Sequence, residues 1–142
     1  MVSTRLKITF WALVLFSLAI LSQFLVPAIG ELFKGSLLFL GPMALFCVLG
    51  ATLIVLTLKE QGLSKWRKRF LFLTGASAAG FFVFVFLHNA FYALAEIASQ
   101  IAVLKYALEA LHVGFFLMAI PVCPLVFLVG MAGSIWFFIK KN

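Results

Sequence analysis

The sequence predicts an all-α protein, an integral membrane four-helix bundle with both termini in the cytoplasm. Apolar residues make up 65% of the 142 residues and charged residues only 11%, whereas a soluble domain is about 45–50% apolar and about 25% charged. Four apolar runs each approach or exceed the roughly 20 residues that a helix needs to cross a bilayer. The basic residues collect at the ends of these runs, mainly on one predicted side. We therefore expect a single membrane domain over residues 1–142.

The four predicted spans cover residues 8–29, 36–58, 70–95 and 112–139. The first follows Arg5 and Lys7, a pattern that also opens a secretory signal peptide. Its apolar run is longer than the 7–15 residues typical of a signal core. We therefore expect it to be a retained span. The short link at residues 30–35 predicts that the first two spans are antiparallel neighbours.

The placement of basic residues predicts the orientation. Nine lysines and arginines lie before the first span, between spans two and three, or after the fourth span. Only Lys34 and Lys105 lie on the other side. By the positive-inside rule, both termini and the connection between spans two and three are cytoplasmic. We expect the location to be a cell membrane, specifically a prokaryotic cytoplasmic membrane.

The connection between spans two and three carries the densest positive charge. We expect its basic residues to contact anionic lipid headgroups, although a regulatory partner could bind there instead. They are Lys65, Arg67, Lys68 and Arg69. The net charge of +7 does not indicate nucleic-acid binding, because no surface of interleaved basic and aromatic residues accompanies it.

The link at residues 97–111 leaves two arrangements open. Ile97, Ile101, Leu104, Leu108 and Leu111 recur at spacings of three and four, which is typical of one helical face. The segment could be an amphipathic helix lying in the outer interface. It could equally extend spans three and four beyond the lipid and turn near Ser99 and Gln100.

A polar cluster is predicted where spans three and four meet on the outer side. On a helical wheel, the polar residues of span three share one stripe, which should face protein because lipid cannot satisfy their hydrogen bonds. Glu109 and His112, three residues apart, should lie at the same level. The candidate cluster therefore contains His88, Asn89, Tyr92, Glu96, Glu109 and His112.

Three roles compete for this cluster. The side chains could satisfy one another and fix how spans three and four meet. They could bind a metal, although only one Glu-x-x-His motif is present, where a di-iron site needs two, and His88 and Glu96 lie about 12 Å apart along the helix. His88 and His112 could hold a haem, although phenylalanines crowd both positions. The first role is preferred, so no metal and no cofactor is expected.

Small residues and prolines indicate helix packing and a kink. Gly75 and Ala79 are four residues apart, as are Ala76 and Gly80, a spacing that lets two helix backbones approach closely. The partner could be another span of the bundle or a second copy of the chain. In span four, Pro121 and Pro124 predict a kink, because each removes a backbone hydrogen bond. These two prolines are the kink residues, and a kinked helix also occurs in transporters.

The segment Leu73-Thr-Gly-Ala-Ser77, together with His88 and Asn89, resembles segments of uncharacterised small four-span membrane proteins of prokaryotes. The resemblance covers about one span. It implies a four-span topology and no particular activity.

The sequence carries no enzyme motif that we recognise: no phosphate-binding loop, nucleophile elbow or HExxH. We expect a non-enzymatic accessory or structural membrane component. Its expected partners are the lipid bilayer and either a second copy of itself or a larger membrane complex. The alternative is a small transporter or channel that uses the polar cluster as an ion or proton site. A second alternative is a metal- or haem-binding membrane subunit.

Overall fold

A computed structural model describes residues 2–33 and 40–140 of the chain. In these ranges all regular structure is helical, as predicted. The helices are α1 (Thr4–Leu25), α2 (Pro27–Phe33), α3 (Leu40–Lys59), α4 (Lys65–Ile97), α5 (Ala102–Leu117) and α6 (Cys123–Ile139). A 3-10 turn at Ala98–Gln100 joins α4 to α5, and a π-helical segment at Met118–Val122 joins α5 to α6.

Among the described residues, four helical stretches are long and apolar enough to cross a membrane, which supports the predicted multi-pass architecture. They are Thr4–Leu25, Leu40–Lys59, Lys65–Gln100 and Ala102–Ile139, with mean hydropathies from 2.1 to 2.4. Large apolar side chains also cover the outside of the bundle: Leu15 is 65% exposed, Phe86 65% and Leu125 62%. Because water-exposed patches of this extent are rare in soluble monomers, this exterior suits lipid.

Helix α4 is the centre of the bundle, since it packs against α3, α5 and α6, while α1 packs against α3. Buried apolar side chains from α1, α3, α4 and α6 form the core. They include Leu6, Phe10, Leu13, Phe46, Leu53, Leu71, Ala78 and Phe127. The ring of Phe10 also lies 5.1 Å from that of Phe138, so α1 reaches α6 at one end.

Small residues bring α3 and α4 into backbone contact. A Cβ atom on Gly50 would lie 2.7 Å from both the Ala79 nitrogen and the Gly75 carbonyl oxygen. The thiol of Cys47 lies 3.6 Å from the Ala79 carbonyl oxygen, which accepts its hydrogen bond. Gly75 and Ala79 thus pack inside the bundle. A role for Ala76 or Gly80 in a contact between two copies stays a prediction.

The predicted first span is interrupted at Val26. This residue is extended, with φ −107° and ψ 104°, because the ring of Pro27 disfavours a helical conformation at the residue before it. The predicted span 8–29 therefore divides into α1 and the start of α2. The predicted link at 30–35 begins inside α2, and Lys34 and the start of the predicted span 36–58 lie outside the described residues.

One end of the bundle gathers the N-terminus, the α3–α4 connection and the end of α6. The Ser3 backbone N–H donates to Glu60 Oε1 at 3.1 Å, and Arg67 Nη2 donates to the Phe137 carbonyl at 2.9 Å. The connection turns at Gly62, whose φ of +89° favours glycine. Ser64 then caps α4 by accepting from the Arg67 N–H.

The basic residues therefore lie on the first turns of α4, which begins five residues before the predicted span. This extension is a difference from the sequence prediction, which placed residues 65–69 in a loop. The Ser64 cap explains it, because a serine at this position satisfies a backbone N–H that the first helical turn leaves open.

At the opposite end, α4 runs to Ile97 and turns through the 3-10 segment. Ile101 is extended, with φ −115° and ψ 93°, and α5 begins at Ala102. Residues 97–111 are thus the end of one long helix, a turn and the start of the next. The helical path therefore turns near Ser99 and Gln100, as in the second of the two arrangements that the sequence left open. Where this turn lies relative to the lipid stays a prediction.

The prolines of the fourth span coincide with a change in helix type. Pro121 lies inside the π-helical segment, and Pro124 lies in the first turn of α6. A wider helical turn accommodates a proline ring that would collide with the preceding turn of a regular α-helix. The helical path nevertheless continues from Ala102 to Ile139.

Candidate functional site

The candidate site is a contact between the imidazole rings of His88 on α4 and His112 on α5. Their ring centroids lie 4.1 Å apart and their planes are tilted by 22°. Both residues are half-buried. The turn at residues 98–101 positions them, because it returns the chain so that α5 packs along the last turns of α4.

The two histidines also exchange hydrogen bonds with each other's backbone. His88 Nδ1 lies 3.2 Å from the His112 carbonyl oxygen, and His112 Nδ1 lies 3.2 Å from the His88 carbonyl oxygen. Because a carbonyl oxygen can only accept, each Nδ1 carries the hydrogen and donates it. The result is a reciprocal link between two helices; we call it the histidine pair.

Aromatic rings surround the histidine pair. The Tyr92 ring lies 5.2 Å from that of His112, and the Phe116 ring lies 5.3 Å from that of His88. Phe115 packs nearby on Phe91, with ring centroids 5.3 Å apart. Rings at these separations contribute packing energy beyond the area that they bury, so this stretch of the α4–α5 contact is mainly aromatic.

The structure brings together three of the six predicted cluster residues: His88, Tyr92 and His112. Asn89 is exposed, and its Nδ2 donates to the Val85 carbonyl of its own helix at 2.8 Å. Glu96 is exposed and lies two turns beyond His88. Glu109 forms an ion pair with Lys105, Nζ to Oε1 3.7 Å, on the surface of α5.

The geometry shows a direct contact between two helices. Within residues 2–33 and 40–140, no three histidine, cysteine, aspartate or glutamate side chains converge as metal ligands do. To hold one haem, the two histidines would each have to direct a ring nitrogen at the iron from opposite sides. In this structure the two rings instead stack face to face. The metal and haem alternatives gain no support from this geometry and stay predictions.

Sequence reasoning placed His88 and His112 at one level but missed how they bond. The i,i+4 spacing of Lys105 and Glu109 was a visible indication that this carboxylate would pair along its own helix. No comparable sequence pattern predicts that a ring nitrogen donates to a carbonyl on the neighbouring helix. That bond depends on how the two helices are rotated about their axes relative to each other.

The predicted lipid-contact residues have different surroundings at the basic end of the bundle. Lys65 is exposed, while Arg67 binds the Phe137 carbonyl and its guanidinium lies 5.7 Å from the Phe137 ring centroid. The Arg69 guanidinium lies 5.1 Å from the centroid of the exposed Trp66 ring. Lys68 and Arg69 border a groove between α3 and α4.

Comparison with known proteins assigns no family: the chain matches no family model, no curated protein and no solved structure at a significant level. The functional argument therefore depends on the sequence and the geometry of the chain itself.

Proposed function

We propose that this chain is a non-enzymatic accessory or structural component of a prokaryotic cytoplasmic membrane, with both termini in the cytoplasm. The histidine pair supports this most directly. Both Nδ1 donors are used in a bond between helices, and one face of each ring lies against the other ring. Such a contact fixes the relative position of α4 and α5 and so builds a rigid, lipid-facing surface.

The aromatic residues support the membrane placement. Trp66 and Tyr92 are both exposed on α4, and their separation of 26 positions corresponds to about 39 Å of helix at 1.5 Å per residue. A bilayer is about 40–45 Å thick including its headgroup regions, where tryptophan and tyrosine concentrate. Tyr106 and Trp136, likewise exposed, have a similar separation along the fourth span, about 45 Å.

Two connections within the part of the chain that the structure describes support a role without catalysis. The α3–α4 connection occupies residues 60–64, and the α4–α5 turn occupies residues 98–101. Neither is long enough to form a catalytic domain. The role is therefore carried by the helices themselves, through the lipid-facing exterior and through contacts with a second copy or a larger complex.

Replacing the histidines should lower stability. We expect His88→Ala to cost about 2 kcal/mol of unfolding free energy and His88→Phe about 1 kcal/mol, because phenylalanine keeps the ring contact and loses only the hydrogen bond. His112→Ala and the double variant complete a cycle whose coupling energy, about 0.5–1.5 kcal/mol, measures the contact between the two rings, because each hydrogen bond ends on a backbone carbonyl that alanine keeps. Chemical unfolding of the detergent-solubilised protein, followed by circular dichroism, measures these values.

Asn89→Ala is the matched control, since the Asn89 side chain is exposed and bonds only within its own helix. It should change the unfolding free energy by less than about 0.5 kcal/mol. Histidine replacements that cost no more than Asn89→Ala would show that the histidine pair is not a link, and the structural role proposed for it would then be abandoned.

A small transporter or channel is the second candidate, favoured by one observation. The fourth span contains a π-helical segment with Pro121 inside it, and interruptions of this kind often accompany functional sites in membrane helices. In this candidate the proton or ion site is the predicted polar cluster, in which Glu96 lies two turns of α4 beyond His88.

Flux measurements separate the two candidates. For the accessory role, liposomes that contain the protein should dissipate an imposed pH gradient no faster than empty liposomes. A pH-dependent flux that Glu96→Gln abolishes, while the circular dichroism spectrum and the size-exclusion profile stay unchanged, would overturn the accessory role and establish transport.

A further inference from the structure

A groove between the end of α3 and the beginning of α4 has the composition of a lipid-binding site. Its volume is about 390 Å³, within the range of about 300–1,000 Å³ that is usual for pockets that bind small molecules. The residues that line it are Thr57, Leu58, Lys68, Arg69, Phe72 and Leu73. It lies at the end of the bundle where Arg67 binds Phe137 and Glu60 binds Ser3.

The interior of this groove is apolar. Leu58 is 64% exposed, Phe72 42% and Leu73 37%, so these side chains are open to the surroundings instead of being covered by another helix. Lys68 and Arg69 contribute their hydrocarbon stems, because long basic side chains bury the stem and keep the charged group at the interface.

Positive charge borders the same groove. Lys68 and Phe72 are one turn apart on α4, as are Arg69 and Leu73, so each basic residue lies about 6 Å nearer the helix start than an apolar partner. From the helix start inward, the groove is thus first positively charged and then apolar. A phospholipid has the same order, because its phosphate lies nearer the membrane surface than its acyl chains. Glu60, the acidic residue of the connection, is bonded to the Ser3 N–H and does not line the groove.

We propose that this groove binds one anionic phospholipid. The phosphate group contacts Lys68 and Arg69, and one acyl chain lies along Leu58, Phe72 and Leu73. The assignment rests on the membrane location proposed above and adds a defined lipid site to it. It also divides the predicted lipid contacts: Lys68 and Arg69 bind the lipid, while Arg67 stabilises the end of α6.

Native mass spectrometry tests this site. The purified full-length protein is supplied with equal amounts of phosphatidylglycerol and phosphatidylcholine that carry identical acyl chains. We expect phosphatidylglycerol to be retained preferentially. Each basic residue near an anionic surface contributes about fivefold in affinity, so Lys68→Gln/Arg69→Gln should lower the preference about 25-fold.

The matched control is Arg5→Gln/Lys7→Gln, which removes two exposed charges from the same end of the bundle. It should keep the preference within about twofold of the unsubstituted protein, since two side chains outside the groove contribute only diffuse attraction. An equal loss in both double variants, or no loss in either, overturns the groove as a site.

The acyl-chain contact has its own variant, Leu58→Trp, which fills the groove and leaves every charge in place. Retention of phosphatidylglycerol should fall about tenfold in this variant. Soluble glycerol phosphate should not displace the lipid, and efficient displacement would overturn the lipid assignment in favour of a phosphate site. All variants are first compared by circular dichroism and size exclusion, so that a misfolded protein is not scored as one that lost lipid.

Membrane location is measured separately, by extracting native membranes with alkaline carbonate. If the chain stays in the membrane fraction and shows no lipid preference, the groove proposal fails and the membrane proposal stands. If the chain is extracted, both fail.

Discussion

Gly50→Ala should cause the largest loss of stability, about 3 kcal/mol of unfolding free energy. The added methyl would lie 2.7 Å from the Ala79 nitrogen and from the Gly75 carbonyl oxygen. Both are backbone atoms, so no side-chain rotation can relieve the collision and α3 must move away from α4. Overpacking of this kind usually costs about 1–3 kcal/mol, and we expect the upper end because α4 also supports α5 and α6.

Gly114→Ala is the control for this experiment. No heavy atom lies within 4 Å of the position that its Cβ would occupy, and alanine favours a helix by up to about 1 kcal/mol over glycine. The two alanine variants should therefore change stability in opposite directions in detergent. Equal stability of both would contradict the close approach of α3 and α4.

Arg67→Gln should also cause a large loss of stability, about 2 kcal/mol of unfolding free energy. The Arg67 guanidinium donates to the Phe137 carbonyl near the end of α6 at 2.9 Å, where the last carbonyls of a helix lack intrahelical partners. Hydrogen bonds from charged groups contribute about 1.5–3 kcal/mol, and the nearby Phe137 ring adds a cation–π contact. Unfolding of the detergent-solubilised protein measures the loss.

Lys65→Gln, in the same turn of α4, is the matched control. Lys65 is exposed, so its replacement should have an effect below about 0.5 kcal/mol. The loss in Arg67→Gln should persist at high ionic strength, because partly buried interactions are screened less than exposed ones. If high salt removed the difference between the variants, Arg67 would be acting through surface charge alone.

The helices were predictable because hydropathy and basic flanks mark them directly. Four apolar stretches in the sequence correspond to the four long helical stretches of the described residues. Helix ends were less predictable. The break at Val26 follows from Pro27. Because the apolar residues continue on both sides of this position, hydropathy alone does not indicate the break. The start of α4 at Lys65 depends on a single serine cap. The basic residues that follow this serine end the apolar run, so hydropathy places the start of the span later.

The sequence predicted the height of the candidate-site residues along the helices. It did not predict which of their side chains meet. A helical wheel places His88 and Tyr92 on one stripe, and the return of the chain brings His112 to the same height. Which side chains then meet depends on the rotation and separation of α4 and α5. These follow from aromatic packing that involves Phe91, Phe115 and Phe116, and sequence spacing does not encode that packing. Glu96 and Glu109 consequently lie away from the histidine pair.

The four-span topology with a cytoplasmic basic end is the claim on which the proposed function and the lipid site depend. Gln61 lies in the connection before α4 and Gln100 in the turn after it, and both are exposed. Single cysteines at these positions, with Cys47 and Cys123 changed to alanine, therefore report the two sides. A membrane-impermeant maleimide applied to spheroplasts should label Gln100→Cys at once and Gln61→Cys only after permeabilisation. Labelling of both from outside, or of Gln61→Cys alone, would contradict the topology.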